Sequence, residues 1–124
     1  MLDSCDVMAF VNTARPEAAR AFYGDVLGLR LLWENGFAIV YDAHGTTLRV
    51  SKSDEVYPAP YTVLGWKVPD IVAMVRALAA RGVTFNRYET LEQDELGIWS
   101  VPGAAARVAW FKDPDGNTLS LTQA

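Results

Sequence analysis

The sequence predicts an α+β fold: two tandem βαβββ modules forming a curved mixed sheet around a central cleft. Three observations carry that prediction. The chain has 124 residues, the size of one domain, and a chain of that length can bury roughly two thirds of its unfolded surface. Its first half reads strand, helix, strand, strand, strand, and the pattern restarts after residue 60. The segment Ala38–Val50 also lies over Ala109–Leu121 at a constant offset of 71, with Ala, Asp, Gly, Thr and Leu coinciding. A repeat of that kind marks duplication of one supersecondary unit.

In chain order, Val7 to Val11 is a short apolar run that reads as a buried strand. Pro16 opens a helix, because a first-turn residue needs no N–H partner, and the helix runs over residues 17–26 to a left-handed cap at Gly28. Leu29 to Trp33, Phe37 to Tyr41 and Thr46 to Val50 are strands, separated by Asn35-Gly36 and Asp42-Ala-His-Gly45. The Pro-, Ser- and Asp-containing segment 53–60 is a linker. It divides module one (1–52) from module two (61–124). Thr62 to Val68 is the next strand, and Asp70 caps a helix from Ile71 to Arg81. Ile71, Met74, Val75 and Leu78 fall on one stripe of that helix, facing a core. Val83 to Tyr88, Arg107 to Phe111 and Asn117 to Thr122 complete the strands. Between the modules the offset rises from 54 at Gly28/Gly82 to 71 at the last hairpin, so module two carries 17 additional residues around Glu89–Ala106.

Composition narrows the function classes. Hydrophobic residues at 51% and charged ones at 21% are a globular balance. No apolar run approaches the ~20 residues of a membrane span. The first residues carry no signal-peptide pattern, and the single Cys5 fits a reducing cytoplasm, so a cytoplasmic protein is expected. A net charge of −4 argues against nucleic-acid partners, which need Lys and Arg to neutralise phosphates. There is no Gly-rich phosphate loop, and the sole histidine, His44, lies in a turn, so no Ser-His-Asp or Cys-His set is available.

The string Arg20-Ala-Phe-Tyr-Gly-Asp-Val-Leu-Gly-Leu29, together with Phe111-Lys-Asp-Pro-Asp-Gly-Asn-Thr-Leu-Ser-Leu121, resembles the vicinal oxygen chelate superfamily. That group contains glyoxalase I, the bleomycin-resistance proteins and the extradiol dioxygenases. The resemblance covers essentially the whole chain, duplication included, and implies a homodimer. It also implies a divalent metal held by His and Glu side chains, two from each module, on first and last strands. Carried over by position, those places fall on Ser120, Arg49, Val63 and, at an offset of 57, Asp6. Valine offers no lone pair, arginine brings a fixed cation and serine is a weak ligand. The expectation is therefore no metal centre and no cofactor.

What the strands then offer is a mostly apolar pocket. By alternation Met8 and Phe10 share the face of Asp6, with Val63, Gly65 and Lys67 matching them in module two. Arg49 either holds a carboxylate or phosphate, pairs with Asp6, or lies on a wet sheet face. The acidic stretch Glu89–Glu95 is either a solvated loop or a lid, in which case Tyr88, Gln93 and Trp99 touch a ligand. Trp33, Trp66 and Trp110 are assigned to the core. The expected ligand-binding set is thus Asp6, Met8, Phe10, Arg49, Val63, Gly65, Tyr88, Gln93, Trp99 and Ser120. The expected function is binding of a small organic molecule without the family's metal ligands. The alternative is a lyase, isomerase or dioxygenase of the same superfamily with a divergent or metal-independent site, using Asp6, Tyr88, Glu89 or Glu92 as acid or base.

Overall fold

A computed structural model describes all residues, 1–124. The chain divides into two compact units, Met1–Pro58 and Ala59–Ala124. The first contains β1 (Met8–Thr13), α1 (Pro16–Arg20), β2 (Arg30–Glu34), β3 (Ala38–Ala43) and β4 (Thr46–Lys52). The second contains β5 (Thr62–Lys67), α2 (Ile71–Ala80), β6 (Trp99–Ser100), β7 (Arg107–Lys112) and β8 (Thr118–Gln123). Each unit forms one four-stranded mixed sheet, in the orders β1-β4-β3-β2 and β5-β8-β7-β6. In both, the first strand runs parallel to the last and the remaining pairs are antiparallel. The predicted βαβββ duplication is therefore present as a topology, with one strand of the second unit drawn from a different segment than expected.

In the first unit, Val11, Tyr41, Leu48 and Val50 alternate onto the face that carries the helix, and all are buried with Ala19 and Tyr23. Pro16 starts α1 as expected. From Ala21 to Val26 the helix widens into a π turn, closed by the Leu27 N–H on the Phe22 carbonyl at 2.8 Å. The 3.6-residue pattern does not signal that widening. On the same sheet face Glu34 accepts from Arg20 Nε (2.8 Å) and Nη2 (2.6 Å) and from Lys52 Nζ (2.8 Å). These two cations hold its carboxyl down at about 2, from an ordinary 4.5.

In the second unit, Asp70 caps α2 by accepting from the Ala73 N–H at 3.1 Å. The side chain of Gln123 in β8 accepts from the next free helical donor, Ile71 N–H, at 2.8 Å. Ile71, Val75 and Leu78 bury against the sheet beside Ala109, Leu119 and Leu121. Met74, placed on the same stripe, is instead exposed.

The expected strand Val83 to Tyr88 does not form. Only Phe85 bridges, to Phe111, and the sheet edge that β2 occupies in the first unit is taken by the two-residue β6. The reason lies in the additional residues. Gln93 donates to the Asn86 and Gly97 carbonyls, each at 2.9 Å, and accepts from the Tyr88 N–H at 2.8 Å. This folds residues 86–97 on themselves and consumes the backbone groups that a strand would use.

Candidate functional site

Register decides which side chains share a face. In the first unit Phe10, Arg49, Val40 and Trp33 stand opposite one another across β1, β4, β3 and β2. Side chains at i and i+2 share a face, so Met8, Asn12, Thr47 and Ser51 join them on the side away from α1. This helix-free face is wet yet apolar: Met8 is 48% exposed, Phe10 57% and Trp33 46%. Trp33 is therefore not the core residue that its type suggests. β2 pairs so as to turn it away from the helix, and its ring lies under Arg49 with the guanidinium carbon 5.9 Å from the centroid.

Arg49 is half-buried and makes no ion pair. Asp6 precedes β1, is exposed and makes no salt bridge to it. Asp42, whose register partner is Thr47, is held by Arg30 at 3.3 Å and by the Gly45 N–H at 2.9 Å. Glu34 and its two cations belong to the opposite face. A guanidinium thus lies over the ring of Trp33, on a residue whose cross-strand partner is Phe10, with no carboxylate of its own.

In the second unit Gly65, Ser120 and Trp110 form the corresponding row. Trp99 stands opposite Val108, two residues from Trp110 and so on the same face. Trp110 meets Trp99 at 6.0 Å between centroids and Tyr88 edge-on at 5.4 Å. Trp110, like Trp33, is thus a face residue rather than a core one; Trp66 is half-buried on the helix side, its register partner being Leu121. Ser120 is 8% exposed. A Cβ on Gly65 would come within 2.6 Å of its Oγ, so the absence of a side chain at Gly65 lets Ser120 lie flat against β5. Val63 sits at a register shift between Thr62 and Leu64 and is exposed. Gln93 faces its own loop, with its amide oxygen and nitrogen engaged by backbone.

Pairing also refines the count between the modules. Phe10 beside Arg49 is the counterpart of Gly65 beside Ser120, an offset of 55 rather than 57. Met8, not Asp6, therefore corresponds to the neighbourhood of Val63.

The acidic loop has internal order. Asp94 Oδ1 accepts from the Leu96 and Ile98 N–H groups, both at 2.9 Å. Arg87 donates to the Asp94 and Glu95 carbonyls, and Ile98 is buried. Beside the loop runs an open groove of about 510 Å³, lined by Leu91, Glu92, Asp94, Trp99 and Pro102 among others.

A sequence model of the Glyoxalase/Bleomycin resistance protein/Dioxygenase superfamily matches residues 5–121, nearly the whole chain. The chain belongs to this superfamily. Solved structures agree on the fold. A bleomycin resistance determinant encoded on the transposon Tn5 is 16% identical, with a TM-score of 0.74, covering 97% of this chain and 98% of that one. A lactoylglutathione lyase from Agrobacterium tumefaciens is also 16% identical, with a TM-score of 0.74 and coverages of 98% and 94%. A superfamily protein from Alicyclobacillus acidocaldarius is 20% identical, with a TM-score of 0.70 and coverages of 97% and 91%. No curated protein matches the chain in sequence.

The metal that the superfamily resemblance implies does not fit the residues present. Met8 and Arg49 stand at its positions in the first unit, Val63 and Ser120 in the second, and none is an imidazole or a carboxylate. Nowhere do three His, Cys, Asp or Glu side chains gather closely enough to hold an ion. The guanidinium of Arg49 would repel a cation placed beside it.

Proposed function

We propose that this member of the superfamily is a small-molecule-binding protein, holding an organic ligand on the helix-free sheet faces without the metal ligands of its relatives. One observation carries the reading. The face of the first unit sets Met8, Phe10 and Trp33, all exposed, around the unpaired Arg49, the apolar lining with a sparse polar group that ligand sites use. Gly65, Ser120, Tyr88 and Trp99 are the counterpart in the second unit. Val63 flanks that face, Gln93 positions Tyr88 through its backbone N–H, and Asp6 lies beside the start of β1. Sequestration of an organic compound is the activity this lining favours, and the Tn5-encoded protein of the same fold is itself a bleomycin resistance determinant.

Exposed aromatic and aliphatic side chains on a sheet face are also surface that a second copy would cover, and a cytoplasmic homodimer is part of the proposal. Sedimentation equilibrium reads the dimer, and a monomer at high concentration removes it. Binding itself is tested by ligand-observed NMR on chelator-treated protein, with neutral, acidic and basic ring compounds. Saturable binding of at least one class is expected. Binding that appears only after a divalent metal is added, or no binding of any class, would refute the reading.

A further inference from the structure

We infer that the ligand is a flat ring bearing a single carboxylate, and that Arg49 reads the carboxylate while Phe10 and Trp33 take the ring. The inference rests on the reading of the first unit's helix-free face as ligand-binding, and it fixes the sign of charge that reading leaves open.

The geometry around Arg49 supplies the case. The guanidinium lies 5.9 Å from the Trp33 centroid, and Phe10 is its direct cross-strand partner on the other side. Aromatic flanks remove water from a cation without offering it a counter-charge. Such a cation gains most from an anion that approaches along its free edge. Both carboxylates carried on the strands of the unit are already committed: Asp42 to Arg30, and Glu34 to Arg20 and Lys52 on the opposite face. The remaining neighbours along β4 are the hydroxyl-bearing Thr47 and Ser51, which fit a carboxylate oxygen as donors and carry no charge. A guanidinium is a planar fork that matches a carboxylate with two parallel hydrogen bonds. The other cation on this face, Arg30, is held by Asp42, and Lys52 bonds Glu34 on the other side, so Arg49 is the one uncommitted positive charge. One positive charge therefore favours a carboxylate over a phosphate dianion.

The acidic loop of the second unit is the competing feature, which would favour a cation, and part of it is already committed. Trp110 packs edge-on against Tyr88 at 5.4 Å and tilted against Trp99 at 6.0 Å, so these rings spend part of their surface on one another. Asp94 is spent on the Leu96 and Ile98 N–H groups.

The test is calorimetric titration at low salt with three ligands sharing one ring: 1-naphthoate, 1-naphthamide and 1-naphthylmethylammonium. 1-Naphthoate should bind about tenfold or more tightly than the amide, as a charge-assisted pair on an Arg implies, with the ammonium compound weakest. Raising the salt concentration should erode the naphthoate advantage and leave the amide untouched. Arg49→Met should reduce naphthoate to the affinity of the amide while the amide itself still binds. Arg49→Lys should keep only part of the preference. 1-Naphthyl phosphate binding more tightly than the carboxylate would overturn the assignment of the anion. Equal affinities for the three compounds, a preference for the ammonium, or an undiminished preference in Arg49→Met would overturn the anionic ligand while leaving small-molecule binding standing. Binding by none of them would overturn both.

Discussion

Replacing Gly65 with alanine should destabilise the second unit through one contact, and deleting that contact should undo the damage. A Cβ at position 65 would sit 2.6 Å from Ser120 Oγ, closer than carbon and oxygen can pack; its next neighbours are the Ser120 carbonyl at 3.4 Å and Ser120 Cβ at 3.8 Å. Gly65 has no positive φ, so alanine is compatible with its backbone and by itself would gain about 0.4–1 kcal/mol from a less flexible unfolded chain. Against that gain stands overpacking of a well-filled site, about 1–3 kcal/mol, since Ser120 is nearly buried and must leave its rotamer. The expected net loss is about 1–2 kcal/mol. In a Ser120→Ala background the offending oxygen is gone and only ordinary contacts remain, so Gly65→Ala becomes neutral or stabilising by up to about 1 kcal/mol. Urea unfolding of all four proteins of the cycle, followed by tryptophan fluorescence, measures the coupling. Trp66, Trp99 and Trp110 all report on this unit. A coupling of about 1–3 kcal/mol is expected; additivity within about 0.5 kcal/mol would refute the contact as the cause.

Other expectations follow from the hydrogen-bond pattern. Glu34 titrates at about 2 in the folded chain against 4.5 ordinarily, so its carboxylate stabilises the first unit fully above pH 4.5 and loses that contribution as pH falls toward 2. Glu34→Gln should flatten the acid limb of stability across this window, and an unchanged limb would contradict the link to Arg20 and Lys52. Gln93→Ala removes three bonds to backbone and should release about 1–3 kcal/mol of local stability. Hydrogen exchange would show lost protection at the Tyr88 amide; retained protection would mean that the loop is held elsewhere. Asp70→Ala removes the α2 cap and should cost about 1 kcal/mol by chemical denaturation, with Asp70→Asn largely neutral.

Sequence pattern and fold agree where periodicity and turn chemistry act locally. Pro16, Asp70 and the paired Asp–Gly turns place the helices and hairpins; the hairpin topology is repeated, but the pairing keeps the offset of 71 only for β4 and β8, with Val40 and Trp110 in matching places at 70. Arg49 and Ser120 are legible for the same reason, since strand alternation puts them opposite the buried Leu48, Val50, Leu119 and Leu121. Three features are not. Val83 to Tyr88 has an apolar, β-prone composition, but side-chain bonds from a residue several positions on, Gln93, outcompete strand pairing there. Trp33 and Trp110 look like core by residue type, yet which face they occupy depends on pairing register, and β2 carries an irregularity between Leu31 and Trp33. Asp6 matches Val63 by counting, while the pairing of β1 with β4 and of β5 with β8 fixes an offset two residues shorter. The presence of Trp33 beneath Arg49 follows only once the register of β2, β3 and β4 is in hand.

Mapping a bound aromatic carboxylate on the protein tests ligand binding at Arg49 most directly. In the amide and indole NMR spectrum of isotope-labelled, chelator-treated protein, 1-naphthoate should shift the Trp33 indole and the backbone of Phe10 and Arg49 saturably, with residues of α1 unmoved. Shifts confined to the helix side of the first unit, or none until a divalent metal is supplied, would contradict it.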